Sequence, residues 1–178
     1  MPRLSQSALL RRLGEKPSSA AIFLHGPEEY LRERTVQAIV ERMLDPATRD
    51  FNFDQLRGAD VTPEALASLL ATPPMMATHR VVVLREVQGL GAKAREVVEG
   101  VVTRPYEGLV LVLTGTIPSG TKAKFYDVLK ERALSVEFGA IDPMDLPAWL
   151  IEHAEGEHGV ELDVDAARAL AAAIGSDL

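Results

Sequence analysis

The chain has 178 residues, 47% of them hydrophobic and 25% charged, so it can bury a core and has the composition of an ordinary folded protein. It contains no cysteine, which excludes a disulfide framework, a thiolate nucleophile and a cysteine-ligated metal site. The formal net charge of −7 argues against bulk electrostatic attraction to nucleic acid, but it leaves room for a small basic patch. Because the sequence shows neither the apolar core of a signal peptide nor a run of transmembrane length, we expect a cytoplasmic protein.

Apolar patterns along the chain predict an alternation of short strands and amphipathic helices. The predicted strands lie at about 21–25, 51–56, 81–84, 109–113 and 134–138. The predicted helices run from Pro27 to about 45, from Thr62 to about 71, and over about 92–103 and 121–132. Because neighbouring parallel strands need right-handed crossover connections, the pattern predicts an α/β fold with a five-stranded parallel sheet sandwiched by helices.

The pattern changes after the fifth predicted strand. Residues 139–143 are typical of a linker and a helix start, and two further helices are predicted, one through Trp149 and one over about 163–174. Two helices of this length do not form a stable core by themselves. We therefore expect an α/β domain over residues 1–140, followed over residues 141–178 by the start of a helical domain in a truncated chain.

The turn after the first strand lies where many α/β proteins bind a phosphate. A P-loop needs a second glycine, a lysine and a Ser/Thr at fixed spacing after the first glycine. Counted from Gly26, these positions hold Leu31, Arg32 and Glu33, and Arg85 stands where a motor ATPase would carry its metal-binding aspartate. A turn that simply caps the helix is the alternative. On either interpretation we expect a nucleotide site that is degenerate and inactive, with no metal ion and no cofactor.

Met75 and Met76 are the strongest candidates for a binding site. Adjacent residues point about 100° apart on a helix and to opposite faces of a strand, so both cannot easily face one core. The preceding Pro73-Pro74 step favours an exposed turn, and methionine is common on binding surfaces because its side chain adapts to its partner. Burial of both side chains on docking would contribute roughly 3–6 kcal/mol. The alternative is that one or both simply cap the core of the sheet.

Two lysines, Lys122 and Lys124, stand at the entrance to the predicted helix over 121–132. They are candidates for a contact with a DNA phosphate or with a partner protein. A solvated helix start is the alternative.

The chain resembles the N-terminal part of the delta subunit of the bacterial DNA polymerase III clamp loader. The resemblance rests on four ordered segments: IFLHGPEEYLRER, FNFDQLRGADVTPEALASLLATPPMMATHRVVVLREV, LVLVLTGTIPSGTKAKFYDVLK and LPAWLIEHAEGEHGVELDVDAARALAAAIGSDL. It covers nearly the whole chain from about residue 20. It implies an ATPase-like (AAA+) α/β domain that has lost nucleotide binding, followed by part of a small helical lid domain, with the C-terminal collar domain of the family absent.

The resemblance also implies a function. In that family, delta is not an ATPase; it binds the ring-shaped sliding clamp (the beta subunit) and helps to open the ring for loading onto primed DNA during replication. The family's wedge is an apolar pair just before the third strand, and alignment on PMMATHRVVVL places it at Met75 and Met76. The family pair is often Leu-Phe-like, so Met-Met is a departure. The implied partners are the clamp, the motor and delta-prime subunits and, indirectly or weakly, primed DNA.

Three other interpretations remain open from the sequence. A divergent P-loop NTPase or nucleotide kinase is disfavoured by the Leu31-Arg32-Glu33 substitutions. A delta-prime-like subunit of the same loader is disfavoured by the absence of cysteine, because that family usually carries a zinc-binding cysteine cluster. A non-catalytic AAA+-like adaptor that binds another protein is the third.

Overall fold

A computed structural model describes residues 4–15 and 17–174 of the chain. The strands are β1 (Ala20–His25), β2 (Phe53–Arg57), β3 (Arg80–Arg85), β4 (Leu109–Gly115) and β5 (Leu134–Glu137). The helices are α1 (Gln6–Gly14), α2 (Glu29–Met43), α3 (Arg49–Asn52), α4 (Pro63–Leu70), α5 (Ala92–Thr103), α6 (Lys124–Arg132), α7 (Leu146–His158) and α8 (Val164–Ile174).

The five strands form one parallel sheet with the order β2-β3-β4-β1-β5. Strands β1, β3 and β4 are the inner three, and their residues are buried almost throughout, as expected for parallel strands covered on both faces. The predicted fold, a five-stranded parallel sheet sandwiched by helices, is confirmed.

Two apolar cores lie on the two faces of the sheet. Because successive strand residues point to opposite faces, Ile22 and Leu24 of β1 belong to one core and Ala21 and Phe23 to the other. The first core is completed by apolar residues of α1 and α2, and the second by those of α4, α5 and α6. This three-layer packing fixes the ends of the strands, where the candidate site residues lie.

The structure corrects three details of the sequence-based prediction. Helix α1 was not predicted, although Leu9 and Leu13 lie one turn apart and are fully buried. Strand β2 begins at Phe53 and not at residue 51, because the two preceding residues belong to the short helix α3. Helix α6 begins at Lys124, three residues later than predicted.

The last two helices, α7 and α8, pack against each other. Helix α7 also reaches α2, where the Tyr30 hydroxyl lies 3.1 Å from Nε2 of His153 and the Trp149 ring stacks on the same imidazole. Every helix in the described part of the chain is too short or too polar to span a lipid bilayer.

Candidate functional site

The predicted site residues fall on two opposite edges of the sheet. Gly26 and the lysines follow strands and Arg85 ends β3, so they lie at the carboxyl edge, whereas Met75 and Met76 precede β3 and lie at the amino edge. Because β3 has six residues at about 3.3 Å each, the two edges are separated by roughly 20 Å. The structure therefore divides the candidates into two separate sites.

At the carboxyl edge, the glycine turn is closed by backbone contacts with neighbouring strands. Gly26 has φ +125°, and a Cβ there would lie 2.0 Å from the carbonyl oxygen of Phe138, so only glycine fits. The N–H of Gly26 donates to the carbonyl of Gly115 (3.3 Å), and the N–H of Glu28 donates to that of Phe138 (3.4 Å). Two backbone N–H groups of the turn are thus bonded within the protein, whereas a P-loop turns such groups toward phosphates.

The residue at the P-loop lysine position is also turned inward. Arg32 is buried, and its Nη1 donates a hydrogen bond to the carbonyl of Gly26. Burial lowers the pKa of the Arg32 guanidinium, while the carboxylates of Glu29, Glu33 and Glu28 act to raise it. The positive charge is therefore surrounded by three carboxylates of the same helix start, which disfavours the binding of a further anion there.

Glu33 and Arg85 occupy the two positions where a P-loop ATPase would hold Mg²⁺, and in this chain they contact each other. Oε2 of Glu33 lies 2.5 Å from Nη2 of Arg85, and both side chains are mostly buried. The same guanidinium donates to Oε1 of Gln55 at 3.2 Å. Leu31, near the start of α2, is half-buried and packs against the core that contains Ile22 and Leu24. The structure thus brings Gly26, Arg32, Glu33 and Arg85 together around a closed turn.

At the amino edge, both methionines are exposed. Met75 is 55% exposed and Met76 is 91% exposed, so neither caps the core of the sheet. Met76 has φ +53°, in the left-handed region that an L-residue with a long side chain rarely adopts. Strained backbone of this kind costs about 1–3 kcal/mol and persists only where surrounding contacts enforce it.

The loop that carries the methionines is anchored on both sides. The amide of Asn52 bonds to the backbone of Met75, and at the other end His79 Nε2 lies 2.8 Å from the carbonyl oxygen of Pro17. Pro74 packs against Gly108 so closely that a Cβ at Gly108 would lie 2.8 Å from its Cγ. The loop is therefore a fixed part of the protein surface with two apolar side chains facing solvent.

Phe51, which the sequence pattern did not single out, is 61% exposed and lies on the same edge, in α3 two residues before β2. Its carbonyl oxygen accepts a hydrogen bond from Nη1 of Arg80 at 3.0 Å, which links it to the first residue of β3. The alternating pattern over 51–56 placed Phe51 inside a strand. A polar, helix-compatible stretch just before it, Thr48-Arg49-Asp50, was the available sign that the strand starts later.

Lys122 and Lys124 are both exposed at the start of α6, at the carboxyl edge. They lie on the opposite edge from the methionines, so they do not extend the same surface. Within residues 4–15 and 17–174, no group of three or more His, Asp or Glu side chains is arranged to hold a metal ion.

Comparison with known proteins identifies one family for this chain. The family described as DNA polymerase III, delta subunit, matches residues 23–139, which is well over half of the chain. No curated protein sequence matches the chain.

Among solved structures, the chain is similar to the Bacillus subtilis DNA clamp loader delta protein, with a TM-score of 0.70 and 21% identity over 90% of this chain and 50% of that one. It is also similar to a DNA polymerase III gamma subunit-related protein of Thermotoga maritima (TM-score 0.57, 17% identity, 97% of this chain and 59% of that one). A third match is the RuvB Holliday junction branch migration motor of Thermotoga maritima (TM-score 0.59, 17% identity, 93% and 53%).

At these identities the structural matches establish the fold, and the chain spans about half the length of the Bacillus protein. The family match covers the glycine turn, the methionine loop and all of β2, β3, β4 and β5. The chain belongs to the delta-subunit family of the DNA polymerase III clamp loader.

Proposed function

We propose that this chain binds the sliding clamp through Met75 and Met76 and thereby favours the open form of the ring. The observation that carries the proposal is the fixed, solvent-facing loop at the amino edge of the sheet, which exposes two adjacent apolar side chains. Exposed methionines of this kind are suited to docking into an apolar pocket. Phe51 lies on the same edge and belongs to the same proposed surface.

The mechanism is a shift of a conformational equilibrium. Binding energy favours ring opening only to the extent that the loop binds the open or strained clamp more tightly than the closed clamp. The chain has no need of an ATP step of its own for this, and its closed glycine turn and Glu33–Arg85 ion pair support a role without nucleotide. We propose the motor subunits and the delta-prime subunit as further partners of this chain. The motor subunits would control the timing of clamp release.

The closed turn also disfavours the alternative of a divergent P-loop NTPase. Such an enzyme would need free backbone N–H groups and a lysine facing the phosphates, whereas here Gly26 and Glu28 donate to carbonyls and Arg32 bonds back to the turn. We propose Lys122 and Lys124 as a secondary contact with DNA or a partner at the other edge of the sheet. We propose the helical pair after residue 140 as the start of the lid domain of the family.

The test is a titration of the chain against its cognate sliding clamp, with the Met75→Ser/Met76→Ser double variant beside the wild type. Met144→Ser is the matched control, because Met144 is 88% exposed but lies after β5, away from the amino edge. We expect saturable binding that the double variant loses and the control retains. If the folded double variant binds as tightly as the wild type, the methionines are not the docking site.

A further inference from the structure

Asn52 is a fully buried polar residue immediately beneath the methionine loop, and all its hydrogen-bonding groups are used. Its Oδ1 accepts the N–H of Met75 at 2.7 Å, and its Nδ2 donates to the carbonyl of Met75 at 2.9 Å. The second hydrogen of Nδ2 is donated to the carbonyl of Thr48 at 2.9 Å. One side chain therefore pairs with both backbone groups of Met75 and is itself tied to the start of α3.

The two bonds to Met75 do for this residue what a neighbouring strand does in a sheet. A paired N–H and C=O fix both backbone dihedrals of the residue and its distance from β2, and burial of the amide protects the bonds from competition by water. Met75 is thereby fixed directly before Met76, the residue with the strained φ of +53°. Among the described residues, Asn52 is the partner of both hydrogen bonds made by the Met75 backbone.

We infer that Asn52 is the positioning residue of the methionine loop: it orders Met75 and Met76 in advance of docking and so raises their affinity for the clamp. The inference rests on the proposed function of the two methionines and adds a residue that makes no contact with the partner. Its physical basis is that a loop ordered before binding does not lose its conformational freedom on binding.

The expected loss of clamp affinity follows from the conformational entropy that one backbone residue loses when it becomes ordered. Removal of the amide in Asn52→Ala should weaken clamp binding by about 5- to 30-fold, the equivalent of ordering one residue on docking. Exchange of the Met75 amide hydrogen with solvent, followed by nuclear magnetic resonance, should accelerate because its acceptor is gone. The amides of the inner strands β1, β3 and β4 should keep their protection.

Ser5→Ala is the matched control. The Ser5 hydroxyl also accepts a backbone N–H, that of Ala8 at 3.2 Å, but it caps the start of α1, where the next residue, Gln6, lies near Leu31 of α2 toward the carboxyl edge. If Asn52 acted only through general stability, the two variants would weaken clamp binding in proportion to their effects on urea unfolding. We expect that Asn52→Ala weakens clamp binding and that Ser5→Ala does not.

Asn52→Asp is the second variant, for use if the alanine variant fails to fold. It keeps an acceptor for the Met75 N–H but turns a carboxylate oxygen toward the carbonyls of Met75 and Thr48, so weaker binding is again expected. Undiminished binding by a folded Asn52 variant, when Met75→Ser/Met76→Ser binds weakly, would overturn the role of Asn52 and leave the docking site standing. Undiminished binding by the methionine variant would overturn both.

Discussion

The two methionines should contribute unequally to clamp binding, and the structure predicts their order. Burial of a methionine side chain stabilises by about 1.5–3 kcal/mol in full, and only the exposed part can still be gained on docking. Met75 is 55% exposed, which leaves about 0.8–1.7 kcal/mol, whereas Met76 is 91% exposed, which leaves about 1.4–2.7 kcal/mol. We therefore expect Met76→Ala to weaken binding by about 10- to 100-fold and Met75→Ala by about 4- to 20-fold.

The assay is isothermal titration calorimetry of each single variant against the cognate clamp, together with urea unfolding followed by circular dichroism. Alanine is the better replacement here because it removes the thioether without adding a polar group, and it keeps a Cβ at the left-handed position of Met76. Met144→Ala serves as the control for the loss of an exposed methionine elsewhere, and it should leave affinity within about twofold.

The result that would refute this reasoning is a reversed order. If Met75→Ala costs more affinity than Met76→Ala while both variants unfold at the wild-type urea concentration, then exposed area does not decide the contribution. Equal losses from Met144→Ala and Met76→Ala would instead show that the amino edge of the sheet has no special role.

Three further predictions concern the edge and the turn. Phe51→Ser should weaken clamp binding several-fold in the same titration with little change in unfolding, because the side chain is 61% exposed; an unchanged affinity would confine the surface to the methionine loop. Gly26→Ala should lower the free energy of unfolding in urea by more than about 2 kcal/mol, because its Cβ would meet the Phe138 carbonyl, whereas Gly100→Ala in α5, with open space around it, should raise it by about 0.5–1 kcal/mol. Fluorescently labelled ATP with Mg²⁺ should show no saturable binding to the wild-type chain, and saturation at micromolar nucleotide would contradict a closed turn.

Much of the fold could be predicted from the sequence because each inner strand has a recognisable apolar pattern. Runs such as Val81–Leu84 and Leu109–Leu113 are continuously apolar, and this pattern predicts parallel strands covered on both faces. Helix α1 was not predicted because its two buried leucines form only a short stripe on a helix of nine residues. Its place in the core depends on contacts with α2 that no local pattern contains.

The sequence predicted which positions hold the candidate residues, but it did not predict the contacts that these residues make. Spacing from Gly26 identified Arg32 and Glu33 as replacements for P-loop residues, and the end of the third predicted strand identified Arg85. The contact between Glu33 and Arg85 depends on how α2 packs beside β3. Asn52 could not be found in this way, since its partner Met75 lies 23 residues further along the chain. An asparagine inside an alternating segment is ordinary, and only the fold shows that its amide faces a backbone.

The amino edge combines features that each oppose stability of the free protein. Two large apolar side chains remain in water, and Met76 holds a backbone conformation that costs about 1–3 kcal/mol. The contacts of Asn52, Pro74 and His79 are what make this arrangement persist. A loop with no binding role would relax by turning a methionine inward or by carrying a glycine at the strained position. Such a costly and well-anchored arrangement is therefore better explained by docking than by folding, and removal of its anchors should weaken docking more than it weakens the fold.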